Sequence, residues 1–395
     1  MAELPSIEEA LALVLARVRR LPDETVDLGD AAGRVTAAAV RAAADLPPFP
    51  SSAMDGFAVR AADAPGTLRV VGRSAAGVPG PVELRAGEAV AIATGGVVPE
   101  GADAVVPVEV ATEGDGTVTV GAVRPGENVR PRGGDVPAGA VVVPAGLVLG
   151  AAQIGAAASA GAASIVCSAR PKVAILPTGS ELRPPGAALA RGEIYESNAP
   201  MLAALCRSAG AEAARFAPVA DDEDGTRVAL EEALDADVLV TSGGVSVGQK
   251  DLVRAALRQL GAEEVFWRVA VRPGKPLAFA VRGRTLIFGL PGNPVSSLVS
   301  FELFVRPALR ALQGAEPGPA YLPGRIGAQA RRNEARDDLV RAAARVEPDG
   351  VWLTPLAGQE SHMIARAAAA EALVLVPRGS GLLEPGAEVR YLRLD

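Results

Sequence analysis

The spacing of hydrophobic positions at the start of the chain predicts an amphipathic helix. Ser6 and Glu9 form the pattern of a capping box, in which the Ser6 hydroxyl accepts from the backbone of Glu9 and the Glu9 carboxylate reaches back. Hydrophobic residues then recur at helical spacing at Ile7, Leu11, Val14, Val18 and Leu21. We therefore expect a helix with one buried stripe that runs to about Leu21.

From residue 46 to 143 the pattern changes to short runs rich in β-branched and small hydrophobic residues, separated by Gly and Pro. The clearest runs cover 67–71, 89–93 and 104–108. Such punctuation is typical of a β domain. An Ala-rich helical segment follows at 149–160.

Beyond Pro171 the pattern alternates between strands and helices. We expect strands at 173–177, 215–219, 238–241, 265–271 and 285–290, and helices at 200–209, 224–234, 251–260 and 293–312. Alternation of this kind predicts a parallel sheet with helices on both faces. After residue 318 the sequence again has short runs typical of β-strands. Pro348-Asp349-Gly350 is typical of the turn of a β-hairpin.

These patterns predict an α/β plus β fold with four domains. A helical linker domain is made of 1–45 and 144–170, and a β-rich domain covers 46–143. A central doubly wound, Rossmann-like α/β domain covers 171–318. The C-terminal β domain, 319–395, is expected to be a small β-barrel.

Composition narrows the class of protein. The formal net charge is −7, which argues against a nucleic-acid partner and favours a small ligand. Cys167 and Cys206 fit neither a disulfide framework nor paired zinc-ligand spacing. Residues 136–169 carry no charge, but Pro137 and Pro144 interrupt them and Ala and Gly dominate the rest, so we expect no membrane span. The start of the chain lacks a signal-peptide pattern, so we expect a cytoplasmic protein.

Three glycine-rich turns follow strands of the α/β domain and form the first candidate site. Glycine lets the backbone approach a phosphate closely, and inward-pointing amides can bind an anion. Turns at the ends of parallel strands meet at one edge of the sheet, where α/β proteins bind ligands. The alternative is three unrelated tight turns. The candidate ligand-binding residues are Thr178, Gly179, Ser242, Gly243, Gly244, Ser246, Pro291, Asn293 and Pro294.

Acidic residues accompany these turns, namely Glu181, Asp221 and Asp251. Carboxylates beside a bound phosphate repel it unless a hard cation intervenes, so we predict Mg²⁺ held by these three residues. For Asp251 and the neighbouring Asp222, helix capping is the alternative.

Basic residues lie on the strand and turn that precede the last glycine-rich turn. Arg268, Arg272 and Lys275 could face an oxyanion. Lys275 is the most informative, because the chain has few lysines and this one stands between Gly and Pro.

The order and spacing of five blocks resemble the molybdopterin molybdenumtransferase family. The similarity covers nearly the whole chain. Its most specific parts are 47–59, 93–106, 241–248, 273–276 and 290–294.

That resemblance implies a reaction in which molybdate is inserted into adenylylated molybdopterin, with Mg²⁺-dependent hydrolysis and release of AMP. It implies active-site roles for Asp221, Asp251, Glu181 and Lys275, with Arg341 and Ser361 holding molybdate. It further implies a homodimer in which Asp55, Thr94 and Asp135 reach the site of the other subunit. The implied partners are a molybdopterin adenylyltransferase and apoenzymes that accept the cofactor.

Two other functions stay open at this stage. The chain could be a molybdopterin adenylyltransferase, although that enzyme works without the flanking β domains. It could also be a non-enzymatic carrier or scaffold, which the presence of Glu181, Asp221 and Asp251 disfavours. The residues do not distinguish molybdate from tungstate, because both are tetrahedral dianions of similar size.

Overall fold

The structure is a computed structural model that describes residues 4–220, 222–244 and 252–394. The α-helices of this part of the chain are α1 (Ile7–Leu15), α2 (Ala151–Ser159), α3 (Asn198–Ser208), α4 (Glu223–Ala233), α5 (Leu252–Gln259), α6 (Pro294–Ser300), α7 (Arg306–Leu312) and α8 (Ile364–Ala367). A π-helical segment, Phe301–Val305, joins α6 to α7. None of the described helices combines the length and the apolar character that a membrane crossing requires.

The strands fall into two groups along the chain. Those of the first half are β1 (Asp23–Asp27), β2 (Val40–Arg41), β3 (Ser51–Ser52), β4 (Gly56–Val59), β5 (Gly66–Ser74), β6 (Glu88–Ile92), β7 (Ala104–Pro107), β8 (Thr112–Gly114), β9 (Thr117–Val120), β10 (Val129–Arg130), β11 (Val141–Val143) and β12 (Ser164–Ser168). Those of the second half are β13 (Lys172–Pro177), β14 (Leu182–Arg183), β15 (Ile194–Tyr195), β16 (Glu212–Arg215), β17 (Val238–Ser242), β18 (Glu263–Trp267), β19 (Val271–Arg272), β20 (Ala278–Arg282), β21 (Thr285–Leu290), β22 (Leu322–Ile326), β23 (Ala330–Arg331), β24 (Asp337–Glu347), β25 (Gly350–Pro355), β26 (Ala372–Val376), β27 (Leu382–Leu383) and β28 (Glu388–Arg393).

The chain divides into two compact units. One unit comprises Met1–Glu24, Gly33–Ala37 and Cys167–Asp395, and the other comprises Thr25–Ala32 and Ala38–Val166. The second of these contains a six-stranded sheet in the order β7-β4-β6-β5-β9-β8. Its two faces are covered by separate clusters, because successive strand residues such as Phe57 and Ala58 point to opposite sides.

The capping box at the N-terminus is confirmed. Glu9 N–H donates to Ser6 Oγ at 3.1 Å, and Ser6 N–H donates to the Glu9 carboxylate at 2.8 Å. The predicted extent of α1 is wrong, since the helix ends at Leu15 rather than near Leu21. The chain leaves the helix so that Leu21 N–H can donate to the carbonyl of Leu312 at 2.8 Å, at the end of α7. Helix α1 therefore packs against the core of the α/β domain.

The α/β domain has a six-stranded sheet in the order β16-β13-β17-β21-β20-β18, with helices on both faces. Alternate residues of a strand such as β13 belong to different hydrophobic cores, one on each face of the sheet. Val173 and Ile175 pack with α3, α6 and α7 on one face. Ala174 and Leu176 pack with α4 and α5 on the other face. This doubly covered sheet makes near-continuous hydrophobic strands necessary.

Three details of the predicted sheet are wrong. Strand β20 was not predicted, and it runs antiparallel to both of its neighbours, β18 and β21, because the turn that pairs Arg282 with Thr285 is too short for a crossover. The strand predicted at 215–219 lies at Glu212–Arg215 instead. The strand predicted at 265–271 ends at Trp267, because Arg268 adopts a left-handed backbone with φ of 74°.

The C-terminal residues form a closed β-barrel. Its strands follow the order β24-β25-β22-β28-β26, and β26 pairs back onto β24. The predicted hairpin at Pro348-Asp349-Gly350 is confirmed by the pairing of Glu347 with Gly350. Strand β19 of the α/β domain pairs parallel with β24, matching Arg272 with Asp338, and so attaches the barrel to the turn that follows Arg272.

Candidate functional site

Three glycine-rich turns meet at the carboxyl edge of the α/β sheet. Pro177, Ser242 and Leu290 end adjacent parallel strands and lie in register with one another. Thr178 N–H donates to the Ser242 carbonyl at 2.9 Å, and Gly243 N–H donates to the Leu290 carbonyl at 3.1 Å. The described residues of the turns after β13, β17 and β21 therefore lie side by side at this edge.

Two glycines allow this close approach. Gly243 and Gly244 have φ of 97° and 67°, in the region that side chains rarely adopt. A Cβ on Gly243 would lie 2.5 Å from the Thr178 carbonyl oxygen, and one on Gly244 would lie 2.6 Å from Val253 Cγ2. Any larger residue at these positions would push the turns apart.

A buried asparagine that sequence reasoning missed joins two of the turns. Asn198 Nδ2 donates to Ser242 Oγ at 2.7 Å and to the Gly292 carbonyl at 2.8 Å. An Asn at the start of a helix is a common capping residue, so the sequence carried no signal that this side chain reaches the turns.

The basic turn after β19 faces the barrel. Arg272 forms an ion pair with Asp338, whose side chain is only 3% exposed. Burial raises the pKa of the Asp338 carboxyl, and the Arg272 guanidinium offsets part of that rise. Lys275 is exposed and forms no ion pair with any residue in the described ranges. Its ammonium group is therefore available to an anion.

An open cleft of about 680 Å³ separates the basic turn from the barrel. Its walls come from the basic turn, the start of α6 and two segments of the barrel. The lining residues are Arg272, Pro273, Gly274, Lys275, Pro276, Pro291, Asn293, Ser296, Arg336, Asp338, Leu339, Val340, Gln359, Glu360, Ser361 and His362. The cleft thus gathers the predicted Arg272, Lys275, Pro291, Asn293 and Ser361. Arg336 and Asp338 were missed, because single charged residues are common in this Arg-rich chain.

The segment that carries Ser361 is fixed to the α/β domain. Asn293 Nδ2 donates to Ser361 Oγ at 2.9 Å, and Val295 N–H donates to the Ser361 carbonyl at 3.0 Å. Pro294 is the first residue of α6 and fixes where that helix begins. Residues from two domains therefore share one wall of the cleft.

The expectation that Arg341 contacts an oxyanion directly is not what the structure shows. Arg341 is 1% exposed and does not line the cleft. Its Nη1 donates to the Met363 carbonyl at 3.0 Å, and its Nη2 donates to the carbonyls of Gly358 and Glu360 at 2.6 and 3.2 Å. The guanidinium therefore donates to the backbone of the segment that carries Ser361 and holds that segment in place.

Arg268 is also held away from the cleft. Its guanidinium carbon lies 3.7 Å from the centroid of the Trp267 ring, a cation–π distance. It is absent from the lining of the cleft, so its place differs from that of Arg272 and Lys275.

The predicted acidic residues are only partly described. Asp221, Ser246 and Asp251 lie outside the described residues. Glu181 is exposed, and its carboxylate lies so close to Gly179 that a Cβ there would be 2.7 Å from Oε2. Asp222 is the N-cap of α4 and accepts from Gly225 N–H at 2.6 Å, as the capping alternative expects.

The donor chemistry of Glu181 fits a magnesium ion. Mg²⁺ prefers oxygen ligands and is usually held by one or two carboxylates together with ligand phosphates and water. Within 4–220, 222–244 and 252–394 no group of three or more candidate metal ligands is found. Among the predicted metal ligands, Glu181 is the one within the described residues, and it offers one carboxylate in the turn after β13.

The three residues expected to act across subunits lie in the other unit. Thr94 N–H donates to Asp55 Oδ1 at 2.7 Å, so these two residues are together. Asp135 lines a separate open cavity of about 640 Å³, with Asp45 and Arg130 among its neighbours.

Comparisons with known proteins agree along the whole chain. Residues 5–161 match the MoeA N-terminal region (domain I and II), 174–311 match a probable molybdopterin binding domain, and 323–394 match the MoeA C-terminal region (domain IV). The chain is 41% identical to molybdopterin molybdenumtransferase 2 of Mycobacterium tuberculosis over 81% of this chain and 82% of that protein. It is 34% identical to the molybdopterin molybdenumtransferase of Nostoc sp. over 99% and 94%.

A solved structure gives the same result. The molybdopterin biosynthesis moeA protein of Pyrococcus horikoshii OT3 superposes with a TM-score of 0.85 at 27% identity, covering 99% of this chain and 100% of that one. Fold and sequence together define a multidomain protein with a molybdopterin-binding domain and a closed C-terminal barrel. The chain belongs to the molybdopterin molybdenumtransferase family.

Proposed function

We propose that the protein inserts molybdate into adenylylated molybdopterin and releases AMP, as a step of molybdenum cofactor biosynthesis. One observation carries this proposal: a single cleft joins a glycine-rich turn of the α/β domain, at Pro291 and Asn293, to the cations Arg272 and Lys275 and to Ser361 of the barrel. The names of the relatives, molybdopterin molybdenumtransferases, support the same activity.

The glycine-rich turns bind the phosphate-bearing substrate. Backbone N–H groups of such turns neutralise phosphate oxygens without a side chain in the way. Gly243 and Gly244 keep the backbone accessible, and Thr178 places a second turn beside them. This surface suits an extended nucleotide-linked ligand.

The cleft binds molybdate as a substrate. Molybdate is a dianion that offers only acceptor oxygens, so its site needs donors and net positive charge. Lys275 supplies an unpaired ammonium group among the described residues, and Arg336 lies on the facing wall. Asp338 is paired with Arg272, which keeps its carboxylate from opposing the anion. Ser361 adds a hydroxyl donor.

Glu181, with Asp221 and Asp251, would hold Mg²⁺. When bound, Mg²⁺ neutralises charge on the phosphoanhydride that is hydrolysed. Glu181, in the turn after β13, would contribute one carboxylate to such an ion, and Arg268 and the glycine-rich turns would hold the nucleotide.

We further propose a cytoplasmic homodimer in which Asp55, Thr94 and Asp135 of one subunit complete the site of the other. Their distance from the α/β turns along the sequence and the family resemblance support this arrangement. Contact with a molybdopterin adenylyltransferase and with cofactor-accepting apoenzymes stays a prediction. The four domain boundaries drawn from the sequence also stay predictions.

An assay with defined substrates tests this function. Purified protein is incubated with adenylylated molybdopterin, Mg²⁺ and molybdate, and AMP is measured. We expect AMP release that requires all three. Synthesis of adenylylated molybdopterin from ATP and molybdopterin, with pyrophosphate as the second product, would instead identify an adenylyltransferase.

A further inference from the structure

Asn198 is the one described asparagine whose amide donates to two glycine-rich turns at once. It is the first residue of α3 and is 8% exposed. One N–H goes to Ser242 Oγ, on the last residue of β17 where the glycine-rich turn begins, and the other goes to the Gly292 carbonyl, in the turn after β21. Both donors of the amide are therefore used on the candidate site.

The orientation of this amide is fixed by its partners. The Gly292 carbonyl only accepts, so the group that faces it must be Nδ2 and not Oδ1. Asn198 Oδ1 is consequently turned away, and it is buried with no hydrogen-bond partner in the described ranges. A buried unpaired acceptor is uncommon in folded proteins and calls for an explanation other than stability.

Helix capping does not explain Asn198. Ala199 N–H at the start of α3 donates to Glu196 Oε1 at 2.8 Å, so a different residue satisfies the helix terminus. The Asn198 side chain makes its two bonds away from its own helix, to residues 44 and 94 positions distant in sequence.

We propose that Asn198 is a positioning residue that locks the turn after β17 to the turn after β21, so that both bind the phosphate-bearing substrate as one preformed surface. This inference rests on the proposed function of that surface. The turns pack closely, since a Cβ on Gly292 would lie 3.7 Å from the Gly243 α-carbon. Glycine-rich turns have many accessible backbone conformations, and holding them in one conformation before binding removes an entropic cost of association.

Three variants separate positioning from packing. Asn198→Ala removes the amide, while Asn198→Asp keeps its shape but removes both donors. Gln313→Ala is the matched control, because Gln313 is 2% exposed and its Nε2 donates to the carbonyls of Ala209 and Leu309 at 3.0 and 2.9 Å, away from the turns.

Two readouts are measured on the full-length protein. The first is AMP affinity by titration calorimetry. The second is hydrogen exchange of backbone amides in 238–244 and 286–294 without ligand. For both Asn198 variants we expect AMP affinity to fall about five- to tenfold and exchange to rise in both segments, since the bond to the Gly292 carbonyl is lost in both and only Asn198→Asp can still accept from the Ser242 hydroxyl. For Gln313→Ala we expect a lower melting temperature with AMP affinity within about twofold of wild type.

The outcomes distinguish this inference from the function on which it rests. Unchanged exchange in both segments, or wild-type AMP affinity in Asn198→Asp, overturns the positioning role. If wild-type protein fails to bind AMP but exchange rises in the Asn198 variants, the proposed function is overturned and the lock between the turns is supported.

Discussion

The side-chain amide of Asn293 donates to Ser361 Oγ at 2.9 Å, and this bond joins the last turn of the α/β domain to the C-terminal barrel. The Ser361 carbonyl accepts from Val295 N–H, which makes the connection two-point. The cleft proposed to bind molybdate therefore depends on a contact between segments that are distant in sequence.

Ser361→Ala should weaken the use of molybdate and leave nucleotide binding intact. The change removes the hydroxyl that would donate to the anion and breaks the bond to Asn293. A hydrogen bond contributes about 0.5–1.5 kcal/mol, so the half-saturating molybdate concentration should rise roughly two- to tenfold. Steady-state AMP release at varied molybdate measures this value.

The control for that experiment is Ser380→Ala, an exposed serine elsewhere in the barrel. It should behave as wild type. A Ser361→Ala enzyme with an unchanged molybdate requirement would remove Ser361 from the site.

Arg341→Ala should destabilise the barrel and also raise the molybdate requirement. Its buried guanidinium donates to three backbone carbonyls of the segment that carries Ser361, so the cost should be about 3 kcal/mol of unfolding free energy. Lysine should restore part of the stability, because an ammonium group cannot reproduce the planar fork. Urea denaturation measures the change, and a fully stable Arg341→Ala protein that lacks only molybdate binding would instead support direct contact.

Asp338 should make stability depend on pH. Because its pKa is raised in the folded protein, the folded state binds the proton more tightly than the unfolded chain does. The associated stability is present below the ordinary value of 3.8 and is lost as pH rises through the raised pKa. Asp338→Asn should remove this pH dependence of the unfolding free energy. Above the raised pKa of Asp338 the variant should be more stable relative to wild type than it is at lower pH.

This prediction is checked by measuring the unfolding free energies of wild type and Asp338→Asn at several pH values from about 3.5 upwards. Arg272 is half exposed, so loss of its partner should cost little. A difference between the two proteins that does not vary with pH would contradict the raised pKa.

A shared site predicts complementation between two inactive variants. Asp55→Asn keeps the acceptor for Thr94 N–H and so preserves the local turn, while Lys275→Ala removes an ammonium group from the lining of the cleft. In a mixture of equal amounts after subunit exchange, half of the dimers carry one intact site, so activity should reach about a quarter of wild type. Sedimentation of the same samples reports the dimer, and a mixture as inactive as its components argues against sharing.

Local patterns predicted most elements of this fold. The capping box at Ser6 and the hairpin at Asp349 depend on neighbouring residues, and both are confirmed. The three turns could be placed at one sheet edge because parallel strands end on the same side. Strand β20, which runs antiparallel to both of its neighbours, was missed, because the expected alternation of strands and helices has no place for two strands joined by a short turn.

Side-chain direction was the harder part of the site. A strand residue such as Arg341 can face either side, and sequence could not show that its guanidinium is enclosed by the 358–363 segment. Asn198 was missed for a related reason, since its partners lie in turns far away in sequence. Asp338 forms its ion pair with Arg272 only because β19 pairs with β24, a pairing that the sequence did not indicate.

The most direct test of the proposed function follows AMP and metal-loaded cofactor in one reaction. Protein, adenylylated molybdopterin and Mg²⁺ are mixed with and without molybdate, and finished cofactor is quantified by reconstitution of a molybdenum apoenzyme. We predict that AMP and active cofactor appear in equal amounts with molybdate and that both stay near background without it. AMP release without active cofactor, or active cofactor without AMP, would contradict the account.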